Sequence, residues 1–261
     1  MSGNLVQIER ADGVAHVWLN RPQVHNAFDE HLIAQLHQAF VQLDTDDTVR
    51  AVVLGGRGKS FCAGGDLDWM RRMADFSQAE NLQDSGRLAA MLGALYRLRK
   101  PTIARVHGAA LAGGTGLASA CDIAVATPAA SFGTTEVRIG LLPATIAPYV
   151  IRAMGERAAR RYFLSGERFD AEQALRVGLV HEVCIADVLD ARIRQLLDAL
   201  LLGAPQALSG CKRLIADVAG HPLDEALMAD TSRRIADARA SAEAREGIAA
   251  FFEKRKPMWG N

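Results

Sequence analysis

Two glycine-rich turns, Phe61-Cys-Ala-Gly-Gly-Asp66 and Ala110-Leu-Ala-Gly-Gly-Thr-Gly116, organise this sequence of 261 residues. Each turn follows a short apolar run typical of a buried strand, Ala51–Leu54 before the first and Thr102–Val106 before the second. Each leads into a segment that we expect to be helical. The first N–H groups of a helix lack intrahelical partners, and the helix dipole adds partial positive charge there. Two such turns would aim two N–H groups at one developing negative oxygen, which defines an oxyanion hole.

The composition bounds the class of protein. About half of the residues, 49%, are apolar, so a sizeable core is available, and the formal net charge is zero. A neutral chain lacks the basic excess of a nucleic-acid or anionic-membrane surface. The four cysteines are far apart and form no C-x-x-C pair, so neither a zinc site nor a disulfide framework is indicated. No targeting segment and no bilayer-spanning apolar run is recognisable, so we expect a soluble, cytoplasmic protein.

The hydrophobic pattern predicts strands and helices in alternation. Two strands, 5–10 and 14–19, are joined by an Asp-Gly turn, and helical spacing follows over 29–43. A capping box at Ser77-Gln-Ala-Glu80 opens a long helix that Pro101 ends. Beyond the second glycine turn, a helix over 113–120 and a strand over 121–126 are predicted. This repetition indicates stacked turns of a spiral rather than a nucleotide-binding sheet.

The second half of the chain is predicted to be mainly helical. Helical character begins at Glu156, and three helices are expected over about 187–202, 205–218 and 223–254, the last broken near 238–241. No linker or low-complexity run separates the halves. We therefore predict one domain, with a core over 1–200 and a helical C-terminal region over 201–261.

Four motifs in this order resemble the enoyl-CoA hydratase/isomerase, or crotonase, family. They are F-x-A-G-x-D at 61–66, a G-G-rich turn followed by L-A-x-x-C-D-I at 113–123, F-x-x-x-E-x-x-x-G-x-x-P at 132–143, and a closing helix at 246–255. The resemblance implies an α/β fold, a crotonase-like ββα superhelix with a C-terminal helical trimerisation region. It further implies an acyl-CoA thioester substrate, no cofactor beyond the coenzyme A of that substrate, and a homotrimer or dimer of trimers.

The resemblance also implies roles for individual residues. Ala63 and Gly113 are expected to donate the two oxyanion-hole N–H groups, and Glu136 is expected to move protons at the substrate's α or β carbon. Backbone between Arg21 and Ala27 is expected to cradle coenzyme A. The full expected substrate- and CoA-binding set is Val24, Ala27, Ala63, Gly64, Gly65, Asp66, Leu67, Trp69, Gly113, Pro143 and Lys254. Without the resemblance, two ordinary turns, a solvated glutamate and a core tryptophan would be the simpler interpretation.

One position departs from the family pattern. Hydratases of the family usually carry a second glutamate three residues after the oxyanion glycine, and this sequence has Gly116 there. The family's isomerases shift a double bond with one glutamate, at the position of Glu136. Simple hydration of straight-chain substrates is therefore in doubt.

A second departure points the other way. Pro143-Ala-Thr-Ile-Ala-Pro148 replaces the usual glycine-rich run and resembles the branch that acts on 3-methylglutaconyl-CoA or isohexenylglutaconyl-CoA, whose acyl groups carry a distal carboxylate. That carboxylate, a polar pocket group or Glu136 alone would then substitute for the missing glutamate. Arg138 would face the distal carboxylate, or would be an outward charge in a turn.

Three functions remain open on the sequence. The first is a lyase that hydrates a 2-enoyl-CoA, branched or carboxylated. The second is an isomerase that uses Glu136 as its single base. The third is an acyl-CoA-binding protein without catalysis, because a scaffold can outlive its chemistry.

Overall fold

The strands of this computed structural model, which describes residues 4–260, form two sheets. The larger has the order β1-β2-β3-β4-β6-β9 and the smaller has the order β5-β7-β8. The strands are β1 Val6–Ala11, β2 Val14–Leu19, β3 Ala51–Gly56, β4 Thr102–Val106, β5 Ala110–Leu111, β6 Ile123–Ala126, β7 Ser131–Gly133, β8 Phe169–Asp170 and β9 Glu182–Val183.

Ten α-helices accompany the sheets among the described residues. They are α1 Glu30–Thr45, α2 Leu67–Met73, α3 Gln78–Arg97, α4 Gly113–Ala120, α5 Ala147–Ser165, α6 Ala171–Arg176, α7 Leu189–Leu201, α8 Pro205–Val218, α9 Glu225–Ala240 and α10 Ala242–Phe252. The predicted capping box is present: the Ser77 hydroxyl accepts from the Glu80 N–H, and the Glu80 carboxylate accepts from the Ser77 N–H.

From β4 onward the chain passes back and forth between the two sheets. β4, β6 and β9 join the larger sheet in parallel, whereas β5, β7 and β8 form the smaller one. Each passage adds a strand beside the previous one, so the chain climbs as a spiral. This arrangement confirms the predicted stacking of turns.

Both faces of the larger sheet are covered by apolar side chains. One face meets the main core, in which Phe28, Phe40 and Phe132 are fully buried. The other face packs against α7 through Leu189, Ile193 and Leu197. Alternate residues of the strands supply the two cores, as the pleat requires.

Two predicted boundaries are wrong. Helix α5 begins at Ala147 rather than at Glu156, because a proline in its first turn suits a helix start, and Gly155 interrupts it at φ 77° and ψ 159°. Strand β6 begins at Ile123 rather than at Cys121, which ends α4 in an extended conformation. The short strands β7 and β8 lie in segments for which no strand was predicted.

The C-terminal helices are tied to the core through Arg50. Its guanidinium donates to the carbonyl oxygens of Leu201 at 3.2 Å, Gly203 at 2.7 Å and Trp259 at 3.1 Å. The predicted helix break is present at Ser241, whose hydroxyl caps α10. The division between a core ending at 200 and a helical region starting at 201 stays a prediction. None of the helices in the described part of the chain is long and apolar enough to cross a membrane.

Candidate active site

The two glycine-rich turns are in direct contact. The Cys62 N–H donates to Ala109 at 3.0 Å, and the Leu111 N–H donates to the Cys62 carbonyl at 2.9 Å. A β-carbon built on Gly114 would lie 2.2 Å from the Cys62 carbonyl oxygen. Only glycine fits at position 114, so this residue type is what lets the second turn approach the first.

The second turn contains a strained residue. Ala112, which caps α4, has φ 49° and ψ −117°, a conformation that non-glycine residues rarely adopt. Its N–H donates to the Gly133 carbonyl at 2.7 Å, which fixes the Leu111–Ala112 peptide, the one that precedes the peptide carrying the Gly113 N–H. The buried Thr115 hydroxyl reinforces this join by donating to Ala110 at 2.7 Å. The α4 N-terminus is therefore held rigidly against β7.

The free N–H group of the first turn lies at a different residue from the expected donor, Ala63. The Ala63 N–H donates to the His25 carbonyl at 3.0 Å, so it is not free for a ligand. The N–H groups of Gly65 and Gly113, in contrast, make no hydrogen bond to any residue between 4 and 260. The Ala63 N–H is thus already bonded, and Gly65 is the residue of the first turn whose N–H is free; which of the two donates to a substrate stays a prediction. The free amide at Gly113 is compatible with the expected role.

Local geometry explains why the N–H of Gly65 is free. The Phe28 N–H donates to Gly64 at 2.7 Å, and the Asp66 N–H donates to Phe28 at 2.8 Å. Peptide groups alternate in direction along an extended segment, so the N–H of Gly65, between these two bonds, points away from Phe28. The sequence holds no signal for this direction, because it depends on which residues pair with the turn.

Glu136 follows β7 and begins a 3-10 turn that ends at Ile139. It is three residues beyond Gly133, whose carbonyl accepts a hydrogen bond from the Ala112 N–H beside Gly113. Its Oε2 atom is buried and has no hydrogen-bond partner among the described residues. Burial raises the pKa of the Glu136 carboxyl above its ordinary value of 4.5. A half-buried, unpaired carboxyl of this kind is typical of a general acid or base.

Gly116 has no room for a side chain. A β-carbon built there would lie 2.2 Å from Cγ2 and 2.7 Å from Cβ of Ile146, which is 2% exposed. The place of a second carboxylate is therefore filled by an apolar side chain. The contact between Ile146 and Gly116 was not expected from the sequence.

The segment expected to cradle coenzyme A is braced by Arg21. Its guanidinium lies 3.0 Å from both Asp29 and Asp66, and it donates to the Ala27 carbonyl at 2.6 Å. Against the effect of burial, N–H donors at the start of α2 and the charge of Arg21 lower the pKa of Asp66. Val24 is half-buried and Ala27 is buried beside this brace. The two segments of the expected binding set are thus held together.

Trp69, a member of the expected binding set, lies over Gly65 together with its neighbour Met70. A β-carbon built on Gly65 would be 3.2 Å from Met70 Sδ and 3.6 Å from the Trp69 ring. Leu67 is 72% exposed at the start of α2, and Pro143 is buried. Lys254 is exposed just after α10 with φ 54°.

The Arg138 side chain is exposed. A β-carbon on Gly166 would lie 3.2 Å from its side chain, and its charge helps lower the pKa of Glu167, after the hydrogen bonds to that carboxylate from Arg161 and Ser165. The structure therefore places Arg138 beside Glu167 rather than at the glycine turns.

The family model described as enoyl-CoA hydratase/isomerase matches residues 9–261. This chain therefore belongs to the enoyl-CoA hydratase/isomerase family, and its fold is the crotonase-like one that the sequence predicts. A crystal structure of an enoyl-CoA hydratase from Shewanella pealeana superimposes with a TM-score of 0.96 at 42% identity, covering 98% of this chain and 96% of that one.

Two curated relatives have names that specify an acyl group. The 2,3-dehydroadipyl-CoA hydratase of Escherichia coli is 33% identical over 252 residues, 96% of each chain. The (E)-benzylidenesuccinyl-CoA hydratase of Thauera aromatica is 31% identical over 256 residues, which is 97% of this chain and 98% of the relative. Both matches span nearly the whole of both proteins.

Proposed function

We propose that this protein is a hydro-lyase that adds water to a 2-enoyl-CoA, with Glu136 as the acid and base. The observation that carries the proposal is the buried Oε2 of Glu136, which has no hydrogen-bond partner among the described residues and lies three residues beyond Gly133, whose carbonyl binds the Ala112 N–H. The free amides of Gly65 and Gly113 supply two donors for the thioester oxygen. Relatives named as enoyl-CoA hydratases support this type of activity in general.

In this proposal the two amides act on charge that develops during the reaction. When water attacks carbon 3 of the enoyl group, electrons move onto the thioester oxygen to give an enolate. Donors held in place before the reaction stabilise that charge, and loss of one donor typically costs about 3–4 kcal/mol. The strained Ala112 and the glycine contacts keep Gly113 rigid, so little reorganisation is needed.

Glu136 would handle both proton transfers. As a carboxylate it takes a proton from the attacking water, so that the water oxygen bonds to carbon 3. As a carboxylic acid it then returns a proton to carbon 2, and the enolate collapses to the 3-hydroxyacyl thioester. Burial raises the pKa of Glu136, which brings its two protonation states closer in energy near neutral pH.

We further propose that the acyl group is carboxylated or branched. The names of two relatives denote thioesters of dicarboxylic acids, dehydroadipic and benzylidenesuccinic acid, whose CoA esters keep a free carboxylate. Because Ile146 fills the space beside Gly116, the protein supplies no second carboxylate there. A carboxylate carried by the substrate, or Glu136 alone, would complete the chemistry. The exposed position of Arg138 gives it no part in this proposal.

One observation favours a second function, isomerisation of the double bond. The pair of Gly116 and Ile146 leaves Glu136 as the single carboxylate, and moving a proton between carbons 2 and 4 needs only one. Product analysis separates the two: hydration adds the mass of one water to the thioester, whereas isomerisation leaves the mass unchanged. The retained, unpaired Glu136 argues against a binding protein without catalysis.

The C-terminal helices support a proposal about assembly. Apolar side chains of this region are exposed in the single chain, among them Leu223 at 84%, Phe251 at 78% and Phe252 at 77%. We propose that a homotrimer, or a dimer of trimers, buries them, because monomeric proteins rarely expose so many large apolar side chains in one region. Lys254, next to this surface, would then reach the coenzyme A phosphate of a neighbouring subunit.

A decisive experiment incubates the enzyme with 3-methylglutaconyl-CoA, 2,3-dehydroadipyl-CoA and crotonyl-CoA, and identifies the products by mass spectrometry. The proposal predicts 3-hydroxyacyl thioesters from the two carboxylated substrates and little product from crotonyl-CoA. Rearranged enoyl thioesters of unchanged mass would establish the isomerase alternative.

A further inference from the structure

Phe28 is in contact with both glycine-rich turns. Its backbone is bonded to the first turn on each side of Gly65, through the Gly64 carbonyl at 2.7 Å and the Asp66 N–H at 2.8 Å. Its ring meets the second turn: a β-carbon built on Gly113 would lie 2.4 Å from Cε2 and 2.7 Å from Cδ2. The two free amides, at Gly65 and Gly113, are thus each adjacent to this one side chain or its backbone.

The position of Phe28 is itself fixed from several sides. The ring is 1% exposed within the main core. The preceding Asn26 is fully buried at φ 57°, and its side-chain amide donates to Arg57 at 2.9 Å and Ser60 at 2.8 Å. Arg21 binds the Ala27 carbonyl and the carboxylates that follow Phe28 and Gly65 in sequence. Because these contacts fix Phe28, the two glycine-rich turns must adjust to its position rather than the reverse.

We infer that Phe28 is a positioning residue that sets the separation of the Gly65 and Gly113 amides. The inference rests on the proposed function, because it assigns these two amides to one thioester oxygen. A shorter side chain at position 28 would leave the hydrogen bonds of its backbone in place and remove the ring that packs against Gly113. The second turn would then move into the space that the ring had occupied, and the two donors would no longer lie at the separation that the enolate needs.

The test compares two leucine substitutions. Phe28→Leu removes the ring that touches Gly113, and Phe40→Leu removes an equally buried ring from α1 in the same core. Because both variants lose similar apolar contact, Phe40→Leu controls for general destabilisation. Phe28→Met, whose flexible side chain adapts to irregular core space, serves if Phe28→Leu does not fold.

The first measurement separates kcat from KM with the carboxylated enoyl-CoA. We expect Phe28→Leu to lower kcat by about 10- to 100-fold, since small misplacements of catalytic groups carry losses of this size. KM should change by less than about 3-fold, because ground-state contacts with coenzyme A are kept. Phe40→Leu should keep kcat within about 2-fold of the wild type.

The second measurement reads the donors without turnover. The absorption band of 4-(dimethylamino)cinnamoyl-CoA moves to longer wavelength when hydrogen bonds polarise its thioester carbonyl. The inference predicts a red shift in the wild type and Phe40→Leu, and a smaller shift in Phe28→Leu at saturating ligand. A shift and a kcat in Phe28→Leu equal to those of Phe40→Leu would overturn it while the proposed function stands. A wild type with neither shift nor turnover would overturn both.

Discussion

Ile146 occupies the space that any side chain at position 116 would need, with its Cγ2 only 2.2 Å from a β-carbon built on Gly116. Helix geometry puts residues 113 and 116 on one face of α4, so the blocked position adjoins the free Gly113 amide. The absence of a carboxylate at position 116 therefore depends on two residues, Gly116, which has no side chain, and Ile146, which fills the space.

This relationship predicts strong coupling between the two positions. Gly116→Ala should destabilise the protein by about 1–3 kcal/mol because it overpacks a closed site. Combining it with Ile146→Gly should cost less than the sum of the single changes. Urea unfolding of the four proteins measures the coupling, and additive costs would show that the contact carries no strain.

The same pair offers a gain of function. Gly116→Glu with Ile146→Gly restores a carboxylate and the room for it, so hydration of crotonyl-CoA should rise by about 10-fold or more. Ile146→Gly alone is the matched control and should show no such rise. A folded double variant with the wild-type rate on crotonyl-CoA would contradict the argument that the missing carboxylate limits straight-chain hydration.

The identity of the first-turn donor is tested by replacing single amides with esters. An ester that replaces the N–H of Gly65 should lower kcat by about 100-fold or more, because one oxyanion donor is lost. An ester at Ala63 removes the hydrogen bond to His25 instead and should lower stability by about 1 kcal/mol while keeping kcat. The opposite pattern of losses would return the role to Ala63.

Glu136 predicts a pH-dependent cost in stability. Its pKa is raised by burial in the folded protein, so the penalty is absent below the unfolded value and is felt as pH rises through the folded value. Glu136→Gln should therefore melt at a higher temperature than the wild type near pH 8 and at a similar temperature near pH 4. Calorimetry across this range checks it, with the exposed Glu225→Gln as control. A melting-temperature difference that does not depend on pH would argue against a raised pKa of Glu136 in the folded protein.

The strain at Ala112 predicts a stabilising substitution. Ala112→Gly suits φ 49° and ψ −117°, so we expect a gain of about 1 kcal/mol in the free energy of unfolding. The same change loosens the peptide before Gly113, and kcat should fall modestly. Ala118→Gly, in the interior of α4, is the control and should be destabilising. Equal losses in the two variants would show that Ala112 is unstrained.

The bounds of many helices and strands can be predicted from the sequence, because local residue types determine them. The capping box fixes the start of α3, and strand β4 and helix α4 have the predicted bounds because apolar runs and glycine turns delimit them. Strands β7 and β8 are two or three residues long, too short for a period to show. They exist because partners from elsewhere in the chain pair with them.

The candidate site also has features that the sequence predicts and features that it does not. The motifs locate Glu136 and Gly113, but the choice between Ala63 and Gly65 depends on the direction of one N–H. That direction follows from the pairing of the first turn with Phe28. The filling of position 116 by Ile146 joins residues 30 apart in sequence, and no local pattern announces such a contact.

The most direct test of the account measures the loss of enoyl-thioester absorbance with 3-methylglutaconyl-CoA and crotonyl-CoA, in the wild type and in Glu136→Gln. The account predicts turnover of the carboxylated substrate by the wild type, little turnover of crotonyl-CoA, and no turnover of either by Glu136→Gln. Turnover by Glu136→Gln at the wild-type rate, or no turnover by a wild type that binds the thioester, would contradict it.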